Sequence, residues 1–222
     1  MGNTAAFCAV ILAAGDSSRM GRDKALLPWP PHTSADSTDT FLSAAIRLFS
    51  FHVDEVIVVV GKNEAALAPM IYANGASLVL NPDPARGQFS SLRVGLHEVL
   101  NRGRDAAMIA LVDRPPAETA TLQTLESAFD RAPAKRKWAV VPEFQGKHGH
   151  PILARREMIE AFLRAPETSN AREVEHAHQE NIEYVPVDDP LVVLNVNTPE
   201  EYATLGLSEK AHGTSSRVLP AS

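Results

Sequence analysis

The chain has 222 residues, 45% of them hydrophobic and 22% charged, which suits one domain with a complete apolar core. Its formal net charge of −6 at pH 7 provides no global basic field, so neither nucleic acid nor an anionic membrane is expected as a partner. No apolar run reaches the roughly 20 residues of a membrane span.

The opening MGNTAAFCAVILAAG lacks the basic segment of a secretory signal, and Ala6 stands where a myristoylated Gly2 would want Ser or Thr. The single Cys8 lies inside the first apolar run, which suits a core residue and excludes an internal disulfide. A cytoplasmic protein is the expectation.

In chain order, residues 6–12 (AFCAVIL) read as a buried strand running into a glycine-containing loop. Residues 40–50 place Phe41, Ala44, Ala45, Leu48 and Phe49 on one helical face. A strand over 53–60, a helix over 63–74 and a strand over 76–80 follow, then a helix over 90–101. The most apolar strand, 106–112, ends at Asp113. Beyond it come a helix (119–131), a strand (138–142), a helix (155–164), late strands at 183–186 and 192–196, and a closing helix over 199–205. Residues 29–39, rich in Pro, Ser, Thr and Asp, read as a surface loop, and 208–222 as a weakly ordered tail after one domain spanning 1–207. Alternating strands and helices with continuously apolar strands predict an α/β fold: a Rossmann-like three-layer α/β/α sandwich around a mostly parallel sheet.

The informative stretch is residues 12–28, LAAGDSSRMGRDKALLP. A strand that runs into small residues and a glycine lets backbone N–H groups approach an anion, and Arg19, Arg22 and Lys24 add positive charge. The dinucleotide fingerprint and the P-loop both fail here: Gly15 and Gly21 are too far apart, and Ala25 follows Lys24. On these residues alone an anion-binding turn and a plain surface turn both remain open.

The pattern L-A-A-G-x-S-x-R-M-G-x-x-K-x-L-L-P resembles the signature of the MobA-like nucleotidyltransferases, with every fixed position met. That family includes the molybdenum cofactor cytidylyl- and guanylyltransferases and is related to the sugar-nucleotide transferases, which implies a nucleotide-diphospho-sugar transferase fold. The resemblance implies that Leu12, Ala13, Ala14, Gly15 and Ser17 hold the base and phosphates of a nucleoside triphosphate. It assigns the triphosphate tail to Arg19 and Lys24.

It also gives Asp113, which by itself would read as a helix cap before Pro115 and Pro116, the role of a Mg²⁺ ligand; Mn²⁺ is the alternative ion. The family commonly has Gln-Pro or Met-Pro after this aspartate, and Arg114 departs from that. Gly87, Ser90 and Ser91 resemble a G-x-x-x-S stretch that lies against the nucleotide, although helix capping alone would explain the serines. Gly149-His150-Pro151 resembles an acceptor-side element of the cytidylyl branch. Asn195-Val196-Asn197-Thr198-Pro199-Glu200 resembles the element that carries a second metal contact, here Asn197, and its asparagines are closer to the guanylyl branch. Thr198, Pro199 and Glu201 independently spell a helix start.

His148, His150, His176 and His178 invite a zinc reading. Histidines two apart on a helix do not face each other, and no H-E-x-x-H pattern is present, so a dedicated zinc site is not expected. Lys135-Arg136-Lys137 reads as a solvated turn.

The chemistry implied is attack of an acceptor phosphate on the α-phosphorus of CTP or GTP, releasing pyrophosphate. A phosphate nucleophile is already ionised near neutral pH, so no general base is named. Molybdopterin or the molybdenum cofactor is the first acceptor, which makes a molybdoenzyme the delivery partner. The rivals are a sugar- or polyol-phosphate nucleotidyltransferase, a nucleotide-binding regulatory protein with weakened turnover, and, more distantly, an NAD-dependent oxidoreductase. No motif encodes an oligomeric state.

Overall fold

Alternation of side-chain direction along a first strand buried on both faces organises the fold. Strand β1 (Phe7–Leu12) sends Cys8, Val10 and Leu12 into one apolar cluster and Ala9 and Ile11 into another. A computed structural model describes residues 7–17, 19–31 and 39–212, with 206–212 described by backbone alone. The predicted loop at 29–39 and tail at 208–222 therefore lie partly outside the described residues.

After β1 come helix α1 (Phe41–Ser50), strand β2 (Glu55–Val60), helix α2 (Glu64–Ala73), strand β3 (Ser77–Leu80), helix α3 (Gln88–Asn101) and strand β4 (Ala106–Leu111). The second half contains helix α4 (Thr119–Arg131), strands β5 (Ala139–Phe144), β6 (Lys147–His148) and β7 (Ile152–Arg155), and helices α5 (Arg156–Arg164) and α6 (Ala171–Ala177). Strand β8 (Ile182–Pro186) and helix α7 (Pro199–His212) close it.

The strand order is β3-β2-β1-β4-β7-β5-β6, with β8 joined to β5. The β1–β2, β1–β4, β2–β3 and β5–β8 pairs are parallel, whereas β7 and β6 run antiparallel to their neighbours. Helices α1, α2 and α4 cover one face through Leu42, Ile46, Leu67, Ile71, Leu125 and Phe129. The other face is covered by α3, α5 and α6 through Leu92, Leu96, Met158, Phe162 and Val174. This is the three-layer α/β/α arrangement with a mostly parallel sheet.

β1 pairs with β2 on one side and β4 on the other, so the chain order reverses there. The carboxyl ends of β1 and β4 flank the crevice at which open α/β sheets bind ligands.

Four local expectations change. Residues 192–196 form no strand: Pro190–Val193 is a 3-10 turn. The buried Asp189 fixes it, accepting from Leu191 N and taking the Glu118 N–H and the Thr121 hydroxyl. Ser90 and Ser91 are not caps, because α3 begins at Gln88 with Gly87 (φ +88°) as its N-cap residue. Short β6, β7 and α6 appear where the sequence gives no separate signal, and the last helix continues to His212 rather than ending near 205.

Candidate active site

The loop after β1 is held at several points, which fixes where its functional groups lie. Ala13 N–H donates to Val59 O at 2.8 Å, and Val112 N–H donates to Leu12 O at 3.1 Å, tying the loop to both neighbouring strands. Asn63 Nδ2 donates to Ala13 O at 2.8 Å and to Asp23 Oδ2 at 2.6 Å. Asp23 Oδ1 in turn accepts from Ala25 N, which starts the turn carrying Lys24. Ser17 (φ +49°) accepts the Lys24 N–H through Oγ at 3.1 Å. The far end is pinned by Met20, Leu27, Phe41 and Val196, and by the Tyr202 hydroxyl donating to Pro28 O at 2.8 Å.

These anchors border a cleft of about 180 Å³ lined by Leu12, Ala14, Gly15, Ser17, Lys24, Pro84, Gly87, Gln88, Ser91, Val112 and Asp113. Most of the sequence-nominated residues therefore converge. The N-terminus of α3 opens onto the same space through Gly87 and Gln88, adding the positive end of a helix dipole.

Four nominated residues are outside the lining: Asn197, which reaches it through Lys24, and Ala13, Ser90 and Arg19. Ala13 is buried, its carbonyl taken by Asn63. Ser90 donates to Gly87 O at 2.7 Å and accepts from Asn81 Nδ2, bordering a separate hollow. Arg19 is exposed on the turn before buried Met20 and is not part of the cleft lining. Gln88, Asn63 and Asn81 are participants that sequence reasoning missed. Asn63 follows directly on the Gly61-Lys62 turn after β2, the one local cue to its position.

At the inner end of the cleft, Lys24 Nζ donates to Asn197 Oδ1 at 2.8 Å and lies 3.7 Å from Asp113 Oδ2. Asp113 Oδ1 is buried with no hydrogen-bond partner among the described residues. Val196 N–H donates to Asp113 O at 2.8 Å, which brings the two segments together. Glu201 Oε2 accepts from the N–H groups of Asn197 and Thr198, and Thr198 Oγ1 accepts from Glu201 N, forming the capping box its spacing predicts.

The orphaned Asp113 oxygen and the Asn197 carbonyl are hard donors that suit Mg²⁺ or Mn²⁺. Among the described residues no three His, Cys, Asp or Glu side chains converge, so substrate phosphates would have to complete the coordination.

A second cavity of about 860 Å³ shares Leu12, Gly87 and Gln88 with the cleft and extends across the sheet to Arg114, Lys147, His148, His150, Arg172 and Glu175. Burial, reinforced by the Arg114 charge, lowers the His150 pKa to about 3, so the ring is neutral. Burial raises Glu175 to about 7 against the opposing charge of Arg172. Tyr184 is raised by burial and by the Glu175 and Glu143 charges, and its ring stacks on His148 at 3.8 Å.

An open α/β sheet with a glycine-containing loop, a lysine and a carboxylate meeting at its switch point is the arrangement of a nucleotide-binding α/β protein. The MobA-like NTP transferase domain model matches residues 9–182, and the chain belongs to that family. The chain is 26% identical over 201 residues to the molybdenum cofactor cytidylyltransferase of Escherichia coli K12, covering 88% of this chain and 93% of that protein. It is 32% identical over 172 residues to the nicotine blue oxidoreductase of Paenarthrobacter nicotinovorans, covering 74% and 76% respectively. Among solved structures, Rv0371c of Mycobacterium tuberculosis H37Rv is 25% identical with a TM-score of 0.74, over 90% of this chain and 97% of that one. A manganese complex of the same protein superposes with a TM-score of 0.69 at 26% identity, over the same shares of the two chains.

Proposed function

We propose that this chain transfers the nucleotidyl group of CTP or GTP to a phosphorylated acceptor, with molybdopterin or the molybdenum cofactor as first candidate, in the cytoplasm. The observation that carries the reading is Lys24 Nζ held between Asn197 and Asp113 at the inner end of the signature-loop cleft. The similarity to a cytidylyltransferase and the Gly149-His150-Pro151 turn both favour CTP.

Backbone groups of Ala14 and Gly15, the Ser17 hydroxyl and the first turn of α3 surround the space suited to phosphates. Lys24 exchanges its Asn197 contact for a phosphate oxygen and neutralises charge on the departing pyrophosphate. Arg19 reaches the outer end of the triphosphate when substrate fills the cleft. Asp113 and Asn197 would hold a divalent ion, which supplies Lewis-acid neutralisation of the phosphates. Alignment of an acceptor phosphate from the larger cavity with the α-phosphorus is then the remaining requirement, and it needs no proton acceptor.

Pyrophosphate release across CTP, GTP, UTP and ATP with Mg²⁺ or Mn²⁺ and molybdopterin tests this reading. Wild type should release pyrophosphate only with acceptor present. Lys24→Ala should lose roughly 10²–10³-fold in rate with an unchanged far-UV spectrum, and near-normal turnover in it would reject the assignment. Sugar or polyol phosphates as productive acceptors would move the substrate class without moving the site.

A second reading, oxidoreduction, is favoured by the 32% identity to nicotine blue oxidoreductase. It predicts NADH or NADPH oxidation without pyrophosphate. The Gly15–Gly21 spacing is not that of a dinucleotide fingerprint, which favours the transferase.

A further inference from the structure

Arg114 is a largely buried cation without a counter-charge at hydrogen-bonding distance. Its Nη1 donates to Val192 O at 2.9 Å, while its Nε is buried with no partner among the described residues. No carboxylate among the described residues lies within ion-pair distance of it. A buried charge left in this state costs stability, and such arrangements persist where a ligand completes them.

His150 presents a second unmet group. Its Nδ1 is buried without a partner among the described residues, and its backbone N–H donates to the same Val192 carbonyl at 2.9 Å. Both residues line the larger cavity, whose wall mixes buried Leu92 and Ile152 with Lys147, Arg172 and Glu175. Arg114 directly follows Asp113, so this pair lies at the seam between the nucleotide cleft and the cavity.

We propose that Arg114 and His150 form an oxyanion subsite that binds the phosphate of the acceptor. The subsite rests on the transferase reading for its role. Arg114 supplies charge-assisted N–H donors, and neutral His150 supplies one further hydrogen bond without adding charge that would repel Arg114. The seam position directs the acceptor phosphate towards the nucleotide, and the cavity beyond it, with Lys147, Arg172 and Glu175 in its wall, takes the acceptor body.

Calorimetric titration of the full chain with phenyl phosphate and with phenol, without metal, tests the subsite. Wild type should prefer phenyl phosphate by roughly tenfold or more, the equivalent of one charge-assisted hydrogen bond. Arg114→Gln should lose that preference, Arg114→Lys should keep part of it, and Lys24→Ala should leave it unchanged. Ligand-free Arg114→Gln should melt no lower than wild type, because an uncompensated cation has been removed. Phenyl phosphate binding that survives Arg114→Gln, or that Lys24→Ala abolishes, would overturn the subsite, as would a lower melting temperature for ligand-free Arg114→Gln. Absence of pyrophosphate release with the phosphate preference intact would instead overturn nucleotidyl transfer and leave the subsite standing.

Discussion

At the residue scale, the site is built from groups whose ordinary partners are withheld. Among the described residues, Asp113 keeps one carboxylate oxygen unpaired, Lys24 spans two segments far apart in sequence, and Arg114 and His150 each retain an unmet nitrogen. Lys24 and Asp113 can be read from the sequence because the signature spacing and the end of an apolar strand mark them. Arg114 shows only as a departure from a pattern, and its lack of a counter-charge emerges from packing that no local spacing encodes.

Glu175 gives a pH prediction at this scale. Its folded pKa of about 7 lies above that of an exposed carboxyl, so the native state binds this proton more tightly than the unfolded chain. Its contribution is therefore fully present below about pH 4.5 and is lost as pH rises through 7. Glu175→Gln should remove this loss and stabilise the protein at pH 8 relative to wild type by about 1–3 kcal/mol, with little gain at pH 4.5. Urea denaturation at the two pH values checks it. An equal effect at both would show that Glu175 is not held protonated.

At the scale of elements, the segment from Pro190 to Asn197 joins the two halves of the site. The Val192 carbonyl accepts from both Arg114 and His150, and Val196 donates to Asp113. Asn197 then meets Lys24. An apolar VVLNV sequence reads as a strand, yet these backbone groups serve the site instead of a ladder, because Asp189 and Pro190 set a turn first. The strands β6 and β7, which pair on either side of β5, escape sequence reading for a related reason: β6 has two residues and β7 four, too few to show a period.

Gly149 packs against this segment so closely that an added Cβ would lie 2.4 Å from Val192 O and 2.9 Å from Val192 Cβ. Gly149→Ala should cost about 1–3 kcal/mol through overpacking. It should also reduce pyrophosphate release by displacing residues 190–197, unlike Lys24→Ala, which should leave stability unaltered. Equilibrium unfolding and the release assay on both variants separate the two effects, and a fully stable Gly149→Ala would contradict the close packing.

At the scale of the whole molecule, the alternation of apolar strands and helices makes the fold legible, since a parallel sheet covered on both faces demands it. The order reversal at β1 and β4 then places the signature loop, Asp113 and the start of α3 at one crevice. Acceptor chemistry is not legible in the same way. It depends on a cavity assembled from β4, the β6–β7 turn, α3, α5 and α6, whose lining residues are scattered from Leu12 to Glu175.

Nucleotidyl transfer is tested most directly by the fate of label in a single turnover with α-³²P-CTP, Mg²⁺ and molybdopterin. The proposed chemistry predicts one labelled nucleotidyl group on the acceptor for each pyrophosphate released, with Lys24→Ala strongly slowed. Label remaining in CTP while NADH is consumed, or appearing as free CMP whether or not acceptor is present, would contradict it.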